Sequence, residues 1–341
     1  MIRPFGLTDI FLMRSLQRRS ATLAIEPALT HPRDPLWSAL TAPWPWAGFG
    51  IATYVLTAPP PGSAETGFVQ LVKRAARPEA DVLYLAPALP AGPGRDPAGE
   101  AIWHGLLDHC VLAAAGHGLQ RIFASSPDGG PEEACLRDVG FSLYVRETVY
   151  RLASVQPVAL APVAGYRSQE PQDSWALQRL YTRSTPKLVQ HAEGAVTGNV
   201  GTPPLSWWEP DRWQGCVWEP AGEVRGAVQI HLGRAGHWLR LWGANLLSAR
   251  EARSLVEQGL RLIAAAPPAA NASLLPVYTT VRDYESELGG TLTGFGFAPY
   301  TDRVRFVKHT VAPIREPVLP AAVPALETAP KVVARTVEKA R

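Results

Sequence analysis

Cysteine is scarce in this sequence: there are three, at positions 110, 135 and 216, with no C-x-x-C pair and no Cys/His ligand spacing. That excludes a disulfide framework and argues against a zinc site, so a reducing, cytoplasmic setting is expected. Long apolar runs are missing too. None reaches the ~20 residues that a membrane-spanning helix needs, and the first residues lack the basic-then-apolar order of a secretion signal. Neither sign of charge forms a block. The 33 Lys and Arg are interspersed with 30 Asp and Glu, leaving a net charge of only +3. So slight an excess predicts neither a nucleic-acid surface nor a membrane partner.

What is present is a chain that is 46% hydrophobic and 18% charged, the balance of a globular protein. At 341 residues it has room for two domains of ordinary size. The sequence also resembles itself, and periodicity on this scale outranks any short motif. Residues 2–20 lie on 166–184 without a gap, placing Arg3 on Arg167, Asp9 on Asp173, Leu16 on Leu180 and Ser20 on Ser184. GFVQLV at 67–72 matches GAVQIH at 226–231, and GFSLY at 140–144 matches GFAPY at 296–300. The anchors keep their order and their spacing shrinks slowly, as small loop deletions in a duplicated domain produce. Between the copies, 153–165 is rich in Pro and small residues and reads as a linker. From 312 to 341 repeated prolines predict a mobile Pro/Ala-rich tail.

Each copy shows the same succession of periodicities. In the first, 8–19 has helical spacing behind Thr8 or Asp9, and 67–73 and 81–88 are β-rich runs. The stretch from 92 leads through a Gly-rich loop into a helix whose apolar positions Ile102, Trp103, Leu106, Leu107 and Cys110 recur at three and four. Gly116 and Gly118 stop it, LQRIFAS follows as a buried strand, 131–139 as a short helix, and FSLYVRETVYRL as a long closing strand. The second copy repeats this with a helix at 248–266 and a closing strand at 297–311.

The strand, loop and helix at 82–118, the GLQRIFA strand at 118–124 and the short helix running into Gly-Phe together resemble the GNAT acyltransferases over nearly all of both copies. The resemblance implies an α/β (α+β) fold of two tandem GNAT-like domains, each a mixed, mostly antiparallel sheet flanked by helices. Residues 1–152 would form the domain with the candidate acyl-CoA site, and 166–311 a second, degenerate domain. In that family the loop entering the long helix carries Q/R-x-x-G-x-G/A, whose backbone N–H groups hold the pyrophosphate of acetyl-CoA at a helix start. Arg95 and Ala98 take the first and fourth places, but Glu100 then falls where a small residue belongs. A register built on Gly92, Gly94 and Gly99 is the other way to form the loop, and a plain turn before a capped helix is the alternative to both. The second copy offers Leu246 and Leu247 at the corresponding place, and no acetyl-CoA is expected there.

The family's proton donor is commonly a Tyr about four residues before Gly-Phe. That position is Leu136 in one copy and Leu292 in the other, so the usual acid is missing twice. Tyr144 and Tyr300 fit core or rim positions better. Asp81 and Tyr84, on the strand that often contributes the base, are the candidate catalytic residues of the first copy, with Glu79 beside them. Trp207, Trp208, Trp213 and Trp218, with Trp44 and Trp46, make either an acceptor pocket or an aromatic seam between the domains. The expected function is acetyl transfer from acetyl-CoA to a small-molecule or peptide amine. The alternative is a catalytically idle protein of this fold that binds a ligand or partner in the groove between the copies. Aminoacyl or peptidyl transfer is a third reading.

Overall fold

The computed structural model describes residues 1–42, 45–46, 50–57, 66–75, 77–90, 92, 96–155, 165–194, 213–266 and 274–310. Met1–Thr310 is one compact unit, and 311–341 lies outside the described residues, as does most of the expected linker. The boundaries expected at 152 and 166 therefore fall inside a single body.

In chain order the first half contains β1 (Ile2–Pro4), α1 (Ile10–Leu16), β2 (Ala21–Thr22), α2 (Ile25–Thr30), α3 (Pro35–Thr41), β3 (Ile51–Leu56), β4 (Gly67–Lys73), β5 (Glu79–Ala86), α4 (Pro97–Gly116), β6 (Arg121–Pro127), α5 (Pro131–Asp138) and β7 (Ser142–Leu152). The second half runs β8 (Tyr166–Ser168), α6 (Ser174–Ser184), α7 (Lys187–Ala192), β9 (Trp213–Trp218), β10 (Gly226–Leu232), β11 (His237–Trp242), α8 (Ala249–Ala264), β12 (Val277–Arg282), α9 (Ser286–Thr293) and β13 (Ala298–His309). All strands among the described residues join one 13-stranded sheet in the order β1-β3-β4-β5-β6-β13-β7-β12-β11-β10-β9-β8, with β2 paired to β5 off that path. The order reads the same from either end once each first-half strand is exchanged for its second-half counterpart. An internal two-fold therefore passes between β13 and β7.

The repeat anchors occupy matched places. Gly67 opens β4 and Gly226 opens β10, and each has a long helix close overhead: a Cβ on Gly67 would come within 2.6 Å of Ile102 in α4, and one on Gly226 within 3.2 Å of Leu255 in α8. Gly140 and Gly296 turn the chain into the closing strands at φ +82° and +87°, a region that disfavours side chains. Arg3 grips both carboxylate oxygens of Asp9 at 2.6 and 2.7 Å, and Arg167 grips Asp173 at 2.8 and 2.7 Å. The Arg167 bonds hold the Asp173 carboxyl below its ordinary range. At Asp9 burial pushes the other way, and the Arg3 and Gly6 bonds outweigh it.

Local sequence does not reveal that the closing strands are exchanged. β13 lies antiparallel between β6 and β7, and β7 pairs on its far side with β12, so each half is completed by the other's last strand. Val304 and Phe306 of β13, both fully buried, belong to the core under α4 and α5 of the first half. Burial of each such side chain stabilises by ~1.5–3 kcal/mol, so the exchange is part of both cores. α4 begins at Asp96, whose side chain accepts the Gly99 N–H, with Pro97 at the first helical position. It buries Ile102, Trp103, Leu106, Leu107, Cys110 and Ala114, and the Trp103 indole N–H donates to the Pro87 carbonyl at 2.7 Å.

Candidate functional site

The parallel strands β5 and β6 pair only from Glu79↔Arg121 to Asp81↔Phe123 and then diverge. Such a divergence exposes backbone N–H and C=O groups to which an extended ligand can bond. Here the chain itself takes that place. Residues 19–23 run along β5: Ala21 pairs with Leu85 and Thr22 with Tyr84, and the Ala88 N–H donates to the Arg19 carbonyl. Leu23 closes the gap, its N–H donating to Leu83 O at 2.9 Å and its carbonyl accepting the Ser125 N–H at 2.8 Å. Arg303 of β13 secures the Thr22 carbonyl at 3.0 Å, and the Leu23 side chain is 1% exposed within the main core.

The candidate residues of the first half are dispersed around this filled cleft. Both Asp81 oxygens accept from Arg74, at 2.7 and 2.8 Å, and the Arg74 guanidinium also meets Glu79 at 3.1 Å and lies over the Phe123 ring. Burial opposes the Arg74 charge, but Asp81 and Glu79 prevail and hold its pKa above the ordinary value. Asp81 is thus the partner of a buried arginine. Beside it a cavity of about 40 Å³, lined also by Glu26, Tyr144 and Arg305, has room for little more than water. Tyr84 stands on the same strand, but its hydroxyl donates to the Arg33 carbonyl at 3.1 Å, and burial raises its pKa. It supports a loop in place of a reaction.

The loop residues fare likewise. Gly92 is exposed, with no atom near where a Cβ would be. Gly94 and Arg95 lie outside the described residues. Ala98 is exposed on the first turn of α4. The Gly99 N–H is engaged by the Asp96 carboxylate at 3.1 Å, and the Glu100 N–H by the Asp96 carbonyl at 2.8 Å. An acid therefore caps the helix start that was expected to hold pyrophosphate, with Glu100 in the same turn. At ~4 Å from a phosphate, one like charge costs about 4 kcal/mol at an effective dielectric of 20. The filled divergence and the capped helix start together do not fit acetyl-CoA in the first half.

The second half diverges at the same place, since β11 and β12 pair only at His237↔Val277 and Trp238↔Tyr278. Side chains occupy its cleft. Arg282 meets Glu193 at 2.6 Å, and the Tyr181 hydroxyl donates to Glu193 at 2.7 Å, leaving a cavity of about 30 Å³ lined by Arg240, Trp242, Tyr284 and Glu285 among others. Burial pushes the Glu285 carboxyl up to about 7 against the pull of Arg282, and the Tyr284 hydroxyl up to about 12. Ser248 and Glu251 form a reciprocal cap at the start of α8.

Much more space lies between the halves. A groove of about 560 Å³ runs between the α2–α3 connection and the β10–β11 turn, lined by His31, Arg33, Asp34, Trp37, Ile51 and Arg234 among others. One carbonyl aligns its two walls: Thr30 O accepts the N–H groups of both Arg234, at 2.9 Å, and Ala235, at 3.1 Å. The His31 ring stacks on His231 at 5.0 Å, and His231 stacks on Trp213 at 5.1 Å, so part of the expected aromatic seam is present behind the groove. Trp46 donates its indole N–H to Tyr54 within the first half, while Trp44, Trp207 and Trp208 lie outside the described residues.

No protein-family model matches the chain, and no curated protein matches it by sequence. Among solved structures, a GCN5-related N-acetyltransferase from Sphaerobacter thermophilus superposes over 92% of this chain and 96% of its own, at 14% identity and a TM-score of 0.51. The chain has the GNAT fold. A tandem GNAT protein from the clavulanic acid biosynthesis pathway, solved without acetyl-CoA, aligns at 18% identity over 77% of this chain and 83% of its own, with a TM-score of 0.43. A GCN5-related N-acetyltransferase from Anabaena variabilis aligns at 10% identity over 91% and 73%, with a TM-score of 0.42. On this GNAT scaffold the groove residues form no sequence motif, although Asp34 before Pro35 is a readable helix start whose carboxylate accepts the Trp37 N–H. No helix among the described residues is long and apolar enough to cross a membrane, and no group of His, Cys, Asp and Glu among them has the arrangement to hold a metal ion.

Proposed function

We propose that this GNAT-fold protein is catalytically idle in its first half and acts as a binding protein through the groove between its halves. The observation that carries the reading is the strap Arg19–Leu23, whose backbone takes the hydrogen-bonding edge of β5 and ties it to β6. A volume of about 560 Å³ is within the range of small-molecule sites, whereas the two strand clefts are an order of magnitude smaller. Isothermal titration of the full chain with acetyl-CoA tests it. The expected result is no saturable heat and no acetylation of a panel of primary amines. Saturable binding, weakened by substitutions in the Gly92–Gly99 loop, would overturn the reading and return the first half to acyl transfer.

One observation favours a second reading, acetyl-CoA-dependent N-acylation of a small-molecule or peptide amine: the chain shares its fold over 92% of its length with a GCN5-related N-acetyltransferase. Under that reading the full chain acetylates a primary amine when given acetyl-CoA, and no product with any amine of the panel would exclude it.

A further inference from the structure

The chain's net charge is small but unevenly placed. Residues 1–25 hold Arg3, Arg14, Arg18 and Arg19 against Asp9, four cations less one anion, and that +3 equals the net charge of the whole chain. Arg3 and Asp9 cancel in their ion pair, so the excess falls on Arg14, Arg18 and Arg19, all exposed on α1 and the turn that follows it. Among the described residues no carboxylate pairs with any of the three. Two apolar side chains stand beside them. Leu7 is 74% exposed and Phe11 83%, while Met13, on the opposite side of the helix, is fully buried in the core with Phe68. Leu7, Phe11, Arg14 and Arg18 succeed one another at intervals of four, three and four, the spacing that aligns side chains in one stripe along a helix. The stripe is thus apolar at its start and basic at its end. The second half supplies a contrast. At the position equivalent to Phe11, Trp175 is 66% exposed, but its neighbours Arg179 and Arg183 both meet Glu223, at 3.8 and 3.1 Å.

We infer that the outer face of α1 docks on an anionic lipid bilayer, independently of the groove. Phe11 and Leu7 enter the boundary between headgroups and acyl chains, and Arg14, Arg18 and Arg19 meet lipid phosphates and carboxylates. Arginine suits that place, since its stem lies along apolar surface while its guanidinium pairs with phosphate through two parallel hydrogen bonds. Two apolar side chains make too little area for a stable protein partner, whose interface buries about 1,200 Å² or more. A nucleic acid would reward the arginines but leave Leu7 without a use. One short stripe gives reversible attachment, because firm anchoring takes a second signal. The overall charge balance that argued against a membrane partner conceals this surface, because it sums a basic α1 with a remainder that is neutral.

Co-sedimentation of the full chain with vesicles tests this, comparing pure phosphatidylcholine with phosphatidylcholine that carries about 30% phosphatidylserine. Binding is expected to the anionic vesicles alone, and it should fall as salt is added. Arg14→Gln combined with Arg18→Gln should weaken it about tenfold or more, and lysine at both positions should restore most of it. Phe11→Ser should weaken it about fivefold or more, whereas Trp175→Ser should leave it unchanged. All four positions are exposed, and an unaltered urea midpoint shows that each variant is folded. Equal binding to neutral vesicles, binding to neither kind, or binding indifferent to the paired arginine change would overturn the proposal. A loss as large in Trp175→Ser as in Phe11→Ser would overturn it too. So would arginine-dependent binding that Phe11→Ser leaves intact, since that marks a general polyanion site of the kind a nucleic acid also occupies.

Discussion

The two strand clefts of this protein occupy equivalent places in a duplicated fold and are filled by different means. Backbone closes the first: Leu23 bonds to Leu83 on one side and Ser125 on the other, whatever side chains surround it. Side chains close the second, where Glu193 draws together Arg282 and Tyr181. A backbone plug resists point substitution, because its bonds are common to all residues but proline. A charge plug depends on each partner, since a buried ion left alone has lost its hydration with no compensation. The same fold position can therefore be shut in a tolerant way and in a brittle way within one chain.

Removing a partner from the brittle plug should have the largest effect. Glu193→Ala leaves the Arg282 charge without its carboxylate and the Tyr181 hydroxyl without its acceptor, and a loss of about 3–5 kcal/mol is expected in urea unfolding. A loss below about 1 kcal/mol would mean that water enters the second cleft, and the contrast between the halves would weaken. Next comes Leu23→Ala, which deletes a fully buried side chain but keeps the strap's backbone bonds. It should cost about 2–4 kcal/mol while the Leu23 and Ser125 amides stay protected from hydrogen exchange. Fast exchange at Ser125 in that variant would show that side-chain packing, not the backbone, seals the first cleft.

Acidity separates the clefts further. The folded protein binds a proton at Glu285 more tightly than the unfolded chain does, because burial raises its pKa from 4.5 to about 7. That residue therefore costs little at pH 4, where both states are mostly protonated, and destabilises progressively as pH rises from 4.5 to about 7, above which the cost is fully present. Glu285→Gln should be near neutral at pH 4 and stabilise by about 1–3 kcal/mol at pH 8. Equal effects at both values would refute the raised proton affinity. The smallest effects belong to the matched turns. Gly140→Ala and Gly296→Ala should each cost about 1 kcal/mol for a side chain in the left-handed region. Gly140 should be slightly the worse, since its new Cβ meets the Lys308 ammonium 2.7 Å away where Gly296 has only Leu152 at 3.6 Å.

Much of this architecture was legible because it is local or repeated. The spacing of Ile102, Trp103, Leu106 and Cys110 marks α4, and the paired Arg-Asp and Gly-Phe anchors mark the duplication. The exchange of β7 and β13 was not, for a strand has the same alternation whichever neighbour it meets. β2 was missed because two residues carry no period, and on β2 rests the fate of the first cleft. Asp81 was read as a base from its place on β5. Its partner Arg74 stands just across the β4–β5 turn, so the spacing R-x-x-x-x-E-x-D already held a buried ion pair as the competing explanation.

The exchanged strands also bear on how the chain is made. β13 follows every other described strand in the chain, yet it is the neighbour that β6 requires, and the Arg121↔His309 pairing joins residues nearly two hundred positions apart. Until it emerges, a nascent chain holds β6 and β7 with open edges, the condition in which strands pair with the wrong chain. Translation that stalls in α9, at Ser286–Thr293, thus yields a molecule with two exposed sheet edges at its centre, and the first half must wait for β13 of the second before its core is complete.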